Sequence, residues 1–241
     1  MTLHSQPPGS SHASKANPRP GEARSLAQSA ADLATAAMST GSPPEPAALA
    51  SAREGLATAL AAAPTDLDVL FLAFQFHFRL GELEPAEQHV RRRLELAAPE
   101  SADAARAYTN LGILTQTRGD LDRAEEYLTR AVEIDRRLGN AEGLARDLGN
   151  LGCIPEARGD LARAEALYNE AIEIAQKIPG PRGEEMVASN LSNLGDIAKT
   201  RGQLDVARDL WTRSWETYQR LGITKWKAVF ERRFADLSRP V

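Results

Sequence analysis

The sequence has few of the residues from which covalent cross-links, metal sites and membrane spans are built. It contains one cysteine and four histidines in 241 residues. A single cysteine excludes an internal disulfide, and the scattered histidines do not have the spacing of zinc ligands. No apolar run approaches the ~18 residues of a membrane-spanning helix, and the first twenty residues lack the apolar segment of a secretory signal. We therefore expect a cytoplasmic protein with no metal, no cofactor and no membrane insertion.

The sequence also lacks an excess of positive charge and the common catalytic motifs. There are 29 basic and 33 acidic residues, for a formal net charge of −4, so no broad basic field for nucleic acid is expected. There is no Gly-x-Gly-x-x-Gly, phosphate-binding loop, His-Glu-x-x-His or Gly-x-Ser-x-Gly sequence. The prediction is therefore a protein that is not an enzyme and does not bind nucleic acid.

What the sequence does contain is a repeat of about forty residues. Three stretches align without gaps from Asn110, Asn150 and Asn193: NLGILTQTRGDLDRAEEYLTRAVEI, NLGCIPEARGDLARAEALYNEAIEI and NLGDIAKTRGQLDVARDLWTRSWET. A weaker copy begins at Leu72. In each copy a helical segment is followed by an Arg-Gly-Asp-like turn and a second segment with apolar residues at three- and four-residue steps. Each copy is therefore predicted to be a helical hairpin.

Glycines occupy two recurring places in these copies. Gly119, Gly159 and Gly202 fall at the turn, where a positive φ ends a helix without steric cost. The aspartates that follow two of them are expected to cap the second helix, so the two Arg-Gly-Asp tripeptides are interpreted as turns. A second set stands inside the first helix, where glycine costs up to ~1 kcal/mol relative to alanine. Close packing by a neighbouring helix would compensate, and the positions concerned are Gly112, Gly152 and Gly195.

These small residues carry a resemblance to a known family. A Leu-Gly pair opens each copy, and the second helices carry an alanine and an aromatic residue, as in Ala164 with Tyr168 and Ala207 with Trp211. The chain resembles the tetratricopeptide repeat (TPR) family, in the longer-period form of kinesin light chains and some bacterial regulatory proteins. The usual TPR period is 34 residues, and HEAT repeats, with periods of ~40–47, are the second alternative. The resemblance implies an all-α, right-handed α-solenoid whose first helices line a concave face.

The ends of the chain complete this organisation. Residues 1–22 are rich in Ser, Pro, Gly and His and are expected to be disordered. In the C-terminal segment, Trp226 and Phe230 share an apolar face, whereas Arg233 belongs to a basic cluster expected to face solvent. The predicted divisions are a disordered tail over 1–22, a degenerate first hairpin over 23–64, four repeats within 65–223 (about 66–98, 102–139, 142–180 and 184–222) and a C-terminal capping helix over 224–238.

The recurring asparagines are the candidate binding residues. Asparagine is a mediocre helix former, so its recurrence at one register needs a reason. Its amide can hold an extended peptide backbone, and in the resembled family this position commonly contacts bound peptide; the alternative is that each amide ties one hairpin to the next. The predicted partner-binding residues are Asn110, Asn150 and Asn193 with Arg106, Ile113, Gln116, Arg146, Cys153, Glu156, Asp196 and Lys199 on the same faces.

The function predicted from these features is a non-catalytic adaptor that binds another protein or peptide in its concave groove. Arg106 and Arg146 precede two of the asparagines by one turn and could receive a carboxylate. The alternative is a regulatory protein whose groove holds a signalling peptide or its own N-terminal tail and controls a transcription factor or kinase. A homo-oligomer is possible, because aromatic residues such as Trp215 and Tyr218 could be exposed, but it is not indicated.

Overall fold

The protein is an α-solenoid of helical hairpins. The computed structural model describes residues 18–40 and 44–237, and every regular element in these ranges is an α-helix. Successive helices pack in pairs, and first helices of neighbouring hairpins contact each other at α1–α3, α5–α7 and α7–α9. The predicted all-α fold is confirmed. The helices are α1 (Pro20–Thr40), α2 (Pro46–Ala62), α3 (Leu67–Arg79), α4 (Leu83–Leu96), α5 (Ala102–Thr117), α6 (Leu121–Leu138), α7 (Ala141–Ala157), α8 (Leu161–Ala175), α9 (Pro181–Thr200), α10 (Leu204–Arg220) and α11 (Lys227–Leu237).

The N-terminal hairpin begins earlier than the sequence pattern suggested. Most of the predicted tail lies outside the described residues, but α1 starts at Pro20, inside the segment expected to be disordered. Proline suits the first helical position, and the Glu22 carboxylate accepts a hydrogen bond from the Arg19 amide at 3.0 Å. Small side chains bury the inner face of α1 against α2 and α3; these are Ala23, Ala27, Ala30, Ala31 and Ala34.

The turns have the predicted geometry. Gly119 and Gly159 have φ values of +83° and +82°, a conformation that L-residues with a side chain rarely adopt. Asp120 accepts a hydrogen bond from the amide of Arg123 at 3.2 Å and begins α6. The second tripeptide begins α8 in the same way. In both Arg-Gly-Asp sequences, the glycine therefore ends the first helix of the hairpin and the aspartate caps the start of the second.

The arginine of each turn has a role that the pattern did not reveal. The Arg158 guanidinium pairs with Asp122 and Glu125 on the second helix of the preceding hairpin. The same connection is made by Arg118 to Glu87 and by Arg201 to Glu165. Such exposed ion pairs contribute only about 0–1 kcal/mol each, so they align successive hairpins more than they stabilise the fold.

Within each of the last three hairpins (α5–α6, α7–α8 and α9–α10), a glycine of the first helix contacts a large residue of the second. A Cβ atom built on Gly152 would lie 2.6 Å from Cε1 of Tyr168, and one on Gly112 would lie 2.6 Å from Cγ of Leu128. In the last hairpin the Trp211 ring covers Gly195. These partners are fully buried. The prediction that the mid-helix glycines permit close helix packing is confirmed.

Helix α11 covers the end of the last hairpin, but one of its arginines is placed differently from the prediction. Phe230 is buried and stacks on Trp215 with ring centroids 5.3 Å apart, and Tyr218, predicted to be exposed, is buried beside it. The Arg233 guanidinium does not face solvent. It lies 5.3 Å from the centroid of the Trp211 ring, where an arginine gains a cation–π attraction.

We predict that Gly152→Ala destabilises the protein by about 1–3 kcal/mol, because the added methyl group must displace the Tyr168 ring. This loss should exceed the gain of up to ~1 kcal/mol from the higher helix propensity of alanine. Chemical denaturation of the wild type and the variant measures the difference.

The matched control is Gly55→Ala, also within a helix, where the new Cβ would lie 3.7 Å from Leu26 Cδ2 in ordinary contact. It should stabilise the protein by roughly 0.5–1 kcal/mol. Equal effects of the two substitutions would contradict the role assigned to the glycine contact.

Candidate functional site

A groove of about 360 Å³ lies between α7 and α9, with one wall formed by α10 and the segment that follows it. It brings together four of the predicted site residues: Arg146, Asn150, Cys153 and Asn193. We call it the α7–α9 groove. Its other lining residues are Ala145, Gly149, Arg182, Glu185, Met186, Ser189, Asn190, Tyr218, Lys225 and Trp226.

The two asparagines at the recurring register face this groove with their amides unused. Asn150 and Asn193 are half-buried, one on each first helix. Neither side chain forms a hydrogen bond with any residue in the part of the chain that the structure describes. Each carboxamide carries two donors and one acceptor group, so these two side chains present hydrogen-bonding groups to solvent or to a molecule that occupies the groove.

The predicted residues of α5 do not join this groove. Arg106 is exposed, Ile113 and Gln116 are half-buried, and Asn110 is buried. The Nδ2 atom of Asn110 has no partner among the described residues. The asparagine register is therefore not uniform, since its first member is enclosed and the other two line an open space.

Cys153 and Glu156 are held together by a tyrosine of the second helix. The Tyr168 hydroxyl donates to Oε2 of Glu156 at 2.5 Å and lies 3.4 Å from the sulfur of Cys153. Burial raises the pKa of the Cys153 thiol, which is the opposite of what a nucleophilic cysteine requires. Glu156 is thus engaged within the protein, and Cys153 contributes a small groove-lining side chain.

Asp196 and Lys199 were predicted to face a partner, but both are bonded to the C-terminal helix. Asp196 pairs with Arg233, and Nζ of Lys199 lies 3.4 Å from a carboxylate oxygen of Asp236. Helix α11 packs on α10, and these ion pairs join it to α9. The two residues fasten the cap and are not free on the concave face.

A polar contact joins α5 to α7. The residue before Asn110 is Thr109, whose hydroxyl lies 2.9 and 3.0 Å from the two carboxylate oxygens of Asp147 on α7. The corresponding position on α9 is Ser192, whose hydroxyl accepts a hydrogen bond from Arg233 of α11 at 2.5 Å. In both places, a hydroxyl on a first helix therefore forms a hydrogen bond with a helix outside its own hairpin: α5 is joined to α7, and α9 to α11.

The junction between α7 and α9 lacks this contact. Its corresponding position is Gly149, which has no side chain, and it faces Asn190 of α9. Asn190 is 4% exposed, and its Nδ2 donates to the carbonyl oxygen of Met186 at 2.8 Å. Its Oδ1 has no partner among the described residues. A Cβ atom built on Gly149 would lie 2.9 Å from Oδ1 of Asn190, so the asparagine side chain fills the place of the missing side chain at this junction.

Arg146 is fixed in the groove wall by buried carboxylates. Its Nε and Nη2 atoms donate to the two oxygens of Asp147 at 2.8 and 3.2 Å, and Nη2 lies 3.6 Å from Asp135. Both aspartates are fully buried. Burial raises the pKa of Asp147 to about 6, against the opposing effect of the adjacent guanidinium.

Several lining residues were missed by sequence reasoning. Asn190 precedes Asn193 by three residues, so the same helical projection that identified Arg106 would have found it. Lys225 and Trp226 lie beyond α10, outside the repeat pattern, and only the packing of the chain end brings them to the groove. Trp226 is 40% exposed there, although its predicted place was the apolar face of the cap.

The fold and the groove together define a class: tandem helical hairpins stacked into a solenoid, with the first helices lining an open concave face. The Tetratricopeptide repeat family model matches residues 72–137, 103–177 and 148–220, which span more than half of the sequence. The chain belongs to the tetratricopeptide repeat family. No curated protein matches the sequence.

Solved structures share the fold at low sequence identity. Aspartyl phosphate phosphatase F from Bacillus subtilis is 12% identical with a TM-score of 0.69, and the alignment covers 79% of this chain and 51% of that chain. BtubC (BKLC) from P. vanneervenii is 18% identical with a TM-score of 0.56, covering 84% and 91%. A Podosopora anserina protein of the kinesin light chain type is 15% identical with a TM-score of 0.58, covering 84% and 98%. The resemblance to longer-period TPR proteins is confirmed at the level of fold.

Two further properties of the described residues bear on the sequence predictions. No helix among them is both long enough and apolar enough to span a membrane. Within the same ranges, no group of three or more His, Cys, Asp and Glu side chains could hold a metal ion.

We predict that Asp147→Asn changes the pH dependence of stability. The pKa of this carboxyl, about 6 when folded, exceeds the ~3.9 of an unfolded chain. Between these values the folded state binds more protons, so the contribution of Asp147 is fully present below about pH 4 and is lost as the pH rises through 6. From pH 4 to 7 the wild type should therefore lose about 2–3 kcal/mol of unfolding free energy relative to the variant.

Urea denaturation of both proteins across this range measures the difference. Asp205→Asn, on the exposed surface of α10, controls for the general effect of removing one carboxylate. A wild-type-minus-variant difference that stays constant from pH 4 to 7 would contradict the prediction.

Proposed function

We propose that this protein is a non-catalytic adaptor that binds an extended segment of another protein in the α7–α9 groove. The observation that carries the proposal is the pair of unused amides of Asn150 and Asn193 on opposite walls of the groove. A carboxamide offers two donors and one acceptor group. It can therefore pair with both the N–H and the C=O groups of an extended backbone.

The remaining lining suits a peptide as well. Met186, Tyr218 and Trp226 contribute apolar surface beside the amides, and an exposed tryptophan in a concave site is typical of a residue that anchors a partner. Extended segments bind with backbone hydrogen bonds supplying affinity and neighbouring pockets supplying sequence preference. The groove offers both kinds of contact on rigid helices.

The titratable groups of the groove support a binding role over a catalytic one. Arg146 is bonded to Asp147, and Glu185 lies 3.3 Å from Arg182. The pKa of the Cys153 thiol is raised by burial. A catalytic centre needs a nucleophile or base with its proton affinity tuned for transfer, and these groups instead satisfy one another.

The double substitution Asn150→Ala with Asn193→Ala tests the proposal. Affinity capture from a source lysate, followed by mass spectrometry, should recover with the wild type a protein that the double variant no longer recovers. Loss of several backbone hydrogen bonds at ~1 kcal/mol each should weaken binding about tenfold or more.

Asn169→Ala is the matched control, because Asn169 is an exposed asparagine on α8, outside the groove. Circular dichroism should show equal helicity in all three proteins. If the double variant recovers the same partner as the wild type, the asparagines are structural and the partner uses another surface.

A further inference from the structure

We infer that the α7–α9 groove selects an uncharged segment that places one large apolar side chain against the ring of Trp226. This inference rests on the proposed function and adds the chemical class of the ligand. Trp226 lies beyond residue 220, where the match to the family model ends, so the contact belongs to this chain and not to the repeat. Three observations carry the inference: paired charges in the groove wall, an exposed aromatic ring and the fixed position of that ring.

The first observation is that each cation lining the groove already has a carboxylate partner. The guanidinium of Arg146 is held by two buried aspartates. Nε of Arg182 donates to Glu142 at 2.9 Å, and Nη1 of the same guanidinium donates to Glu185 at 3.3 Å. The ammonium of Lys225 lies 3.8 Å from the other carboxylate oxygen of Glu185. The groove wall therefore presents charges that neutralise one another.

Paired charges make a charged ligand unfavourable. An ion that enters the groove loses part of its hydration, and an unpaired counter-ion is needed to compensate for this loss. Acidic and basic side chains alike find no such counter-ion in the groove wall, because its cations and carboxylates are already bonded to each other. An uncharged segment loses less hydration, and the amides of Asn150 and Asn193 can satisfy its backbone.

The second observation is the aromatic surface that the groove exposes. Trp226 is 40% exposed, whereas Tyr218, the other aromatic residue of the lining, is buried with its ring centroid 6.5 Å away. Met186 is also buried and adds an adaptable thioether side chain to the lining. A large apolar side chain that covers Trp226 removes apolar area of both partners from water, which favours binding.

The third observation is that Trp226 is held in place. Its carbonyl oxygen accepts hydrogen bonds from the amides of Val229 at 3.0 Å and Phe230 at 3.1 Å, at the start of α11. Phe230 is itself buried. The ammonium of Lys225 lies 5.3 Å from the centroid of the Trp226 ring, a cation–π contact that further restrains it. A ring already restrained loses little conformational freedom when a partner covers it.

Selection of a displayed library of random peptides on the full chain tests the inference. Peptides of about ten residues span roughly 35 Å when extended, enough to cross two first helices. Selected sequences should share one large apolar residue and should be poor in Asp, Glu, Lys and Arg. Their affinity should change by less than about twofold between about 0.05 and 0.5 M salt, whereas a charge-driven interaction would weaken severalfold, because salt screens charges.

Protein variants locate the contact. Trp226→Ala should bind the selected peptide about tenfold more weakly than the wild type, whereas Trp226→Phe, which keeps an aromatic ring, should lose less than about threefold. A peptide with alanine in place of its large apolar residue should bind the wild type about tenfold more weakly, with little further loss when the protein is Trp226→Ala. Val206→Ala is the control, because Val206 is an exposed apolar residue of α10 outside the groove.

Tryptophan fluorescence gives a measurement on the unaltered protein. Trp211 is fully buried and Trp215 is half-buried, so acrylamide should quench Trp226 most strongly. The selected peptide should reduce this quenching in the wild type, and it should have no such effect in Trp226→Phe.

The outcomes separate the inference from the proposed function. Peptides whose binding depends on acidic or basic residues, or unchanged binding by Trp226→Ala, would overturn the inference. The proposed function stands in either case if the double variant Asn150→Ala with Asn193→Ala loses the peptide. Binding that needs Trp226 but survives the double variant would contradict the role of the amides and not the contact with Trp226. If the wild type selects no peptide at all, both the inference and the proposed function fail.

Discussion

The contact between a first-helix glycine and a large second-helix side chain is the constraint on which the concave surface depends. Gly152 lies two residues after Asn150, which is about 200° around an α-helix. Because Gly152 must face the Tyr168 ring, Asn150 is directed to the opposite side of α7. The same relation holds for Gly195, Trp211 and Asn193. The packing of each hairpin thus decides the direction of its binding residues.

The hairpins are alike, and the junctions between them are not. The last three hairpins repeat the same glycine contact, but the residue three positions before the asparagine register changes from Asp147 to Asn190. The buried aspartate requires a cation and a hydroxyl donor, since an unpaired buried charge is strongly destabilising. The asparagine carries no charge and tolerates an incomplete set of partners. Variation at this register therefore changes how neighbouring first helices are joined, by a hydrogen-bonded aspartate at one junction and by an asparagine packed against Gly149 at the next.

The sequence pattern predicted those structural features that depend on residues close together in the chain. The hairpins, the positive-φ turn glycines, the aspartate caps and the close glycine packing all follow from residues within about one repeat. The contacts of Asp196 and Lys199 could not be predicted in this way, because their partners, Arg233 and Asp236, lie on α11. Periodicity identifies the face of a helix on which a residue lies, but it does not reveal which neighbour will cover that face. Likewise, Lys225 entered the groove through the packing of the chain end.

The C-terminal segment links the end of the solenoid to its candidate site. Phe230 covers Trp215 and Tyr218, which an uncapped solenoid would leave exposed. Trp226, just before α11, lines the α7–α9 groove and lies beneath the Lys225 ammonium at 5.3 Å from its ring centroid. Since the anchoring of α11 fixes the position of both residues, the packing that completes the core also builds one wall of the groove. The cap is therefore part of the concave surface as well as the end of the fold.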